Sequence, residues 1–209
     1  MTESVSSSRQ AILDRLRSRP LDPPPLPEID PATLIRFDDP LAQFCEVASS
    51  VGAAVHRVAS AQEIAPILSE LKPFREARSV ASLVPAAVAG NLDLTAVSDP
   101  HDLKTLDWLI PEGEFGVAEN GAIWMQTRGV PHRASFFITQ YLAIVLSPSE
   151  IVPHMHAAYE RIGPRIGEGF GVFIAGPSKT ADIEQSLVLG AHGCRALTIF
   201  ICDGGGQGS

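Results

Sequence analysis

The sequence predicts an α/β fold, a mostly parallel, doubly wound sheet with flanking helices. Three observations carry that prediction. Short apolar runs rich in β-branched residues recur at 53–58, 79–84, 141–146, 172–175 and 197–201. Their continuity is that of strands buried on both faces. Between several of them lie segments whose apolar residues stand at helical spacing, and strand-like and helix-like segments alternate, the pattern of a parallel sheet.

Taken in order, Ser8 to Ser18 carries Ile12, Leu13 and Leu16 on one stripe, so a short amphipathic helix is expected. Six prolines between Pro20 and Pro31 make the following segment an extended, polyproline-like linker. The helix is then an appendage on that linker, with a surface suited to a neighbouring copy of the chain. This divides the chain into a helix and linker at 1–31, an α/β domain at 32–203 and a glycine-rich flexible tail at 204–209.

Within the domain, Pro40 to Val51 reads as a helix with Leu41, Phe44, Cys45 and Val51 inward and Gly52 ending it. Ala61 to Leu71 reads as a second helix, Leu92 to Val97 as a short strand, and Asp102 to Trp108 as a helix after the Asp99-Pro100 turn. Pro148 to Ile162 is expected to be helical throughout, with His154 and His156 two apart and therefore on different faces, unsuited to a shared metal.

Two stretches carry chemistry. Gly171 to Ile201 reads as strand, helix and strand in about thirty residues, a βαβ unit. Its helix is expected at 180–189, with Asp182 and Glu184 in the first turn and Gly190 as the stop. The loop before that helix holds Gly176, Ser178, Lys179 and Thr180, which offer close backbone approach, two hydroxyls and a positive charge. Two readings stand there: an anion site at a helix N-terminus, or a helix cap with a solvated lysine. The P-loop pattern is absent, because Ser178 occupies the place of its second glycine. The other stretch, Gly116 to Thr127, places Asn120-Gly121 between two apolar runs, a hairpin signal of the type I′ kind. Beside it, His132 and Arg133 either face an anionic substrate or form a solvated turn after Pro131.

Gly-Pro-Ser-Lys-Thr-Ala-Asp-Ile-Glu at 176–184, followed by Leu-Gly-Ala-His-Gly at 189–193, resembles the C-terminal signature of the LUD-domain family, in the layout of its lactate-utilization C type. Weaker resemblance runs back through Glu119-Asn120-Gly121 to about residue 100. The resemblance implies a NagB/RpiA/CoA-transferase-like fold and a bacterial role in oxidising L-lactate to pyruvate. It marks Gly176, Ser178, Lys179, Thr180, Asp182, Glu184 and Gly193 as ligand-binding candidates and raises His192 from a local loop residue to a catalytic candidate. Class I CoA transferases of the same superfamily carry a similar Glu-Asn-Gly element with a nucleophilic glutamate. That likeness makes Glu119 the best candidate for an active carboxylate, with Asn120 and Gly121 beside it.

Composition narrows the functions. A hydrophobic content of 45 % with 19 % charged residues is that of a globular protein, and no run is long enough for a membrane span. A net charge of −8 repels a phosphate backbone, so nucleic acid is excluded as the expected partner. No signal-peptide core stands near the start, and a cytoplasmic location is expected. Cys45, Cys194 and Cys202 have no metal-motif spacing, so no metal or cofactor is expected in this chain, and the iron–sulfur clusters such a lactate-oxidising system implies belong to partner subunits. Three functions remain open: such a cluster-free subunit, binding a small anionic metabolite or a partner at 176–182; a free-standing enzyme on acyl-CoA or sugar phosphates using Glu119; and a metabolite sensor or scaffold.

Overall fold

The computed structural model describes residues 3–19, 24–25, 27–163, 169–181, 187–189 and 192–203. Two compact units divide the chain, residues 1–34 and residues 35–209. The first contains helix α1 (Glu3–Arg17) and a 3-10 turn at Pro31–Thr33, capped by Asp30, whose carboxylate accepts from the Ala32 N–H. Ile12 and Leu16 of α1 are exposed.

The second unit runs α2 (Pro40–Ser50), β1 (Ala54–Val58), α3 (Ile64–Glu70), α4 (Lys72–Arg75), β2 (Val80–Ser82), β3 (Trp108–Ile110), β4 (Phe115–Val117), β5 (Ala122–Gln126), α5 (Ser135–Ile138), β6 (Tyr141–Leu146), β7 (Ile151–Val152), α6 (Met155–Ile162), β8 (Gly171–Ile174), β9 (Lys179–Ala181), β10 (Leu187–Leu189) and β11 (Ala196–Cys202). Five strands form an all-parallel sheet in the order β1-β11-β6-β3-β2. This is the expected parallel α/β sheet.

The inner strands of that sheet explain its stability. Successive side chains of a strand point to opposite faces. Leu142, Ile144 and Leu146 of β6, with Leu197, Ile199 and Ile201 of β11, therefore enter one core, while Ala143, Val145, Phe200 and Cys202 enter the other. The second core is closed by Ile64 and Leu68 of α3 and by Phe74, whose ring meets Trp108 edge-on at 5.3 Å. Trp108 stacks on Tyr141 at 4.9 Å and donates its indole N–H to the Pro73 carbonyl, so its one polar atom is satisfied.

The first core is closed by Phe44 and Ala48 of α2 together with Ile123 and Met125, which come from a second sheet that the sequence does not announce. That sheet has four strands in the order β7-β4-β5-β8 and is mixed: β4 pairs parallel to β7 and antiparallel to β5, and β5 pairs antiparallel to β8. Phe115, Val117, Ala158 and Ile162 form a third cluster between it and α6.

Four expected elements differ. The run 92–97 is a 3-10 turn at Leu94–Ala96, because Asp93 accepts from both the N–H and the hydroxyl of Thr95 and this local bonding displaces a strand ladder. The helix at 102–108 is a 3-10 turn, Pro100–Thr105, and Trp108 already opens β3. The segment 148–162 is a strand followed by a helix. Pro153 has no N–H and holds Val152 extended, so α6 begins only at Met155, with His154 as its cap.

The fourth difference bears on function. The ends of the expected 180–189 helix are strands: β9 and β10 pair antiparallel, Lys179 with Leu189, Thr180 with Val188 and Ala181 with Leu187. Only Ile183 and Leu187 support a helical stripe there, against a Leu-Val-Leu run of strand character. The βαβ unit dissolves as well, since β8 lies in the mixed sheet and β11 in the parallel one. Residues 182–186, Gly190 and the tail 204–209 lie outside the described residues, as do 20–23 and 26 of the proline-rich linker.

The two-faced strand core gives a direct test. Ile144→Ala removes a fully buried side chain from the centre of β6 and is expected to cost about 2–5 kcal/mol, read as a lower denaturant midpoint.

Candidate functional site

The site is built around the C-terminal end of α2. That helix starts with Asp39 accepting from the Ala42 N–H at 2.9 Å and Pro40 in the first turn. It stops in a Schellman arrangement: Ala53 N–H donates to the Ala48 carbonyl and Gly52 N–H to the Ser49 carbonyl, both at 3.0 Å. The Val51 carbonyl at this end accepts from Lys179 Nζ at 2.6 Å, which places a cation on the negative end of the helix. Lys179 is thus the charged cap of α2.

Two turns close on the same helix end. β5 and β8 pair with Ile123 opposite Ile174, so the turn before β5 and the turn after β8 lie at one end of the mixed sheet. Gly121 has φ +67° and a Cβ there would stand 2.7 Å from the Ala48 nitrogen. Gly176 has φ +73° and a Cβ would stand 2.7 Å from the Val51 carbonyl oxygen. Both positions combine a left-handed backbone with close approach to helix backbone, which only glycine tolerates.

Beyond Gly176 the two halves of the signature meet. Ser178 N–H donates to the Cys194 carbonyl at 2.9 Å, and His192 N–H donates to Ser178 Oγ at 3.3 Å. Gly193 packs on Ser178, where an added Cβ would come within 3.3 Å of the serine Cβ. Together they line a cleft of about 520 Å³. Its walls include Phe136 and Phe137 of α5, Leu142, Val172, Phe173 and Ile174, and its polar end is formed by Ser178, Lys179 and His192. Cys194 also lines the cleft; burial pushes its thiol above the usual range, with backbone hydrogen bonds from Ser178 and at Cys194 itself opposing in part. Burial thus favours its neutral thiol over the thiolate.

Of the sequence candidates, the structure therefore brings Gly176, Ser178, Lys179, His192 and Gly193 to one cleft. For Thr180 it gives the backbone pairing in β9, and Asp182 and Glu184 lie outside the described residues. No helix follows the loop in place of β9, so the anion site at a helix N-terminus has no support here. The apolar wall from α5 was not signalled by the sequence: Phe136 and Phe137 reach the cleft through a short helix with no motif of its own.

Glu119 is placed differently. The hairpin forms, but its loop is four residues, 118–121, between Val117 and Ala122, not the two-residue turn on Asn120-Gly121. Gly121 N–H closes it onto the Val117 carbonyl, Asn120 Oδ1 accepts from the Ala122 N–H, and the Ala118 and Glu119 N–H groups turn away to the Val152 and Pro153 carbonyls. The Glu119 carboxylate is exposed and accepts the Met155 N–H at 2.8 Å, in the first turn of α6. Neither Glu119 nor Asn120 nor Gly121 lines the cleft. His132 Nε2 lies 2.6 Å from the Val97 carbonyl, and the Arg133 guanidinium lies over the Phe170 ring at 5.1 Å, so both serve local packing. His154 Nδ1 caps α6 by accepting from Ala157 N–H, and His156 lies 3.1 Å from the Glu160 carboxylate. Among the described residues, no cluster of three or more His, Cys, Asp or Glu side chains comes together to hold a metal, and no helix is long and apolar enough to cross a membrane.

Two substitutions test these assignments. Glu119→Ala removes the acceptor at the start of α6 and is expected to lower stability by roughly 0.5–2 kcal/mol, while Glu119→Gln retains most of it. Denaturant titration of both variants separates a cap from a charge effect. Gly176→Ala forces a left-handed residue against the Val51 carbonyl and is expected to cost roughly 1–3 kcal/mol from the backbone alone, seen as a lower thermal midpoint.

Comparison with known proteins places the region. Residues 101–202 match the model of the LUD domain. Lactate utilization protein C of Bacillus subtilis (strain 168) is 37 % identical over 97 residues, and that of Bacillus pumilus (strain SAFR-032) is 33 % identical over 96. Each alignment covers 43 % of this chain and 40 % of the relative, so the chain spans about two fifths of the length of the curated relatives it matches. The crystal structure of a DUF162 family protein from Deinococcus radiodurans superposes with a TM-score of 0.61 at 20 % identity, over 78 % of this chain and 96 % of that one, and supports the fold.

Proposed function

Because this chain carries a LUD domain over residues 101–202, we propose that it is a cluster-free subunit of a lactate-utilization system. In that reading L-lactate is oxidised to pyruvate with the redox centres on iron–sulfur partner subunits, and this chain supplies a binding function at the cleft. One observation carries the reading: Gly176 to Lys179 and His192 to Gly193, from the two halves of the signature, meet around one cleft through the His192–Ser178 hydrogen bond, with Ser178 also bonded to the adjoining Cys194. A ligand there meets a hydroxyl, an imidazole and an ammonium, donors suited to a carboxylate.

The three cysteines of these 209 residues fall one short of a four-cysteine cluster, which favours clusters on partners. The exposed Ile12 and Leu16 of α1 are the surface this reading assigns to a neighbouring chain. An acyl transferase built on Glu119 gains no comparable support, since that carboxylate is engaged as a helix cap outside the cleft lining.

The test is an anaerobic pull-down of the tagged chain from its host grown on L-lactate, with iron analysis and mass spectrometry. Recovery of an iron-rich partner, absent from cells grown without lactate, is the expected outcome. An iron-free chain with no lactate-dependent partner would overturn the subunit role.

A further inference from the structure

We infer that the cleft takes a monocarboxylate bearing an aromatic or similarly bulky apolar body, with its carboxylate at the Ser178–His192 end. This rests on the reading of the cleft as a ligand site and names the class of ligand. Size is the first argument. Pockets that bury a ligand of drug size hold about 300–1,000 Å³, and this cleft, at about 520 Å³, is among them. A three-carbon hydroxy acid leaves most of that space to water lying against Phe137, Val172 and Ile174, an arrangement the hydrophobic effect opposes. An apolar body displaces that water. Phe137, on α5, is partly exposed at the cleft and presents a ring for edge-on or offset contact with an aromatic group.

The polar end selects a single negative charge. The Ser178 N–H is used by Cys194 and one lone pair of its Oγ by the His192 N–H, which leaves the hydroxyl proton to donate into the cleft. Lys179 gives one ammonium proton to the Val51 carbonyl and keeps two, but its charge is shared with the negative end of α2. The His192 imidazole stands beside them, and no Asp or Glu is among the described lining residues. One full cation shared with the helix end, with a hydroxyl and an imidazole beside it, matches a single negative charge better than a phosphate dianion.

The experiment is calorimetric titration of the full chain with 3-phenyllactate, L-lactate, 2-phenylethanol and phenyl phosphate. We expect 3-phenyllactate to bind about tenfold or more tightly than any of the other three. Phe137→Ala should cut its affinity about fivefold while L-lactate changes less than about twofold, and Ser178→Ala should weaken both acids, with thermal midpoints near that of the parent. Binding of L-lactate or phenyl phosphate as tight as that of 3-phenyllactate overturns the inference. So does equal binding of 2-phenylethanol, an unchanged affinity in Phe137→Ala, or no binding of 3-phenyllactate. Because the purified chain is used alone, failure here leaves the partner-capture result standing, and loss of the partner leaves this ligand preference standing.

Discussion

The end of one helix governs how this molecule is put together. At Val51 the carbonyl that would otherwise be an orphan of α2 accepts the Lys179 ammonium, while Gly176 presses against the same oxygen from another turn. Three turns further apart in sequence than any local interaction reach are thereby held at one point: the Schellman stop at Gly52, the hairpin at Gly121 and the bend at Gly176. The helix itself is fixed because Phe44 and Ala48 are buried in the core that the parallel sheet shares with the mixed sheet. Packing sets the position of the helix, and the helix end then sets the position of the loops.

This arrangement separates two features that lie near one another in the fold. Both the Glu-Asn-Gly hairpin and the Gly-Pro-Ser-Lys bend sit at one end of the mixed sheet, yet they serve different neighbours. Glu119 extends to the first turn of α6 and satisfies one of its unpaired N–H groups. Ser178 instead draws in the segment 192–194 and makes it part of the cleft wall. The cleft lies at the carboxyl end of β8 but beside the amino ends of β6 and β11, since Leu142 and Cys194 line it. It is therefore not the usual crevice at the carboxyl ends of an open parallel sheet. The inserted mixed sheet creates it.

Much of the parallel sheet was legible because its strands are short continuous apolar runs, which few other structures can accommodate. Tyr141 to Leu146 and Leu197 to Ile201 could hardly be solvated, and both are central strands. The start and stop of α2 were legible for a different reason: Asp-Pro and Gly act through backbone bonds within a few residues of themselves. Errors gathered where local and distant interactions compete. The segment 148–162 carried a helical stripe along its whole length, but Ile151 and Val152 find ladder partners in β4, and Pro153 then delays the helix. The 180–189 segment had a carboxylate-rich start and a four-residue apolar spacing, and antiparallel pairing of its two ends prevailed.

What the sequence determined by itself is thus four of the five parallel strands (β1, β2, β6 and β11), the bounds of α2, the hairpin at Asn120-Gly121 and the resemblance carried by residues 176–184 and 189–193. Each rests on chemistry within a short window: hydrophobic period, a capping side chain, a glycine where the backbone must turn. Only the tertiary structure decided that β8 leaves the parallel sheet for the mixed one, that Lys179 caps a helix 128 residues away, and that Phe136 and Phe137 wall the cleft. Those outcomes depend on which distant surfaces bury most apolar area together, and no local pattern encodes a partner that far along the chain.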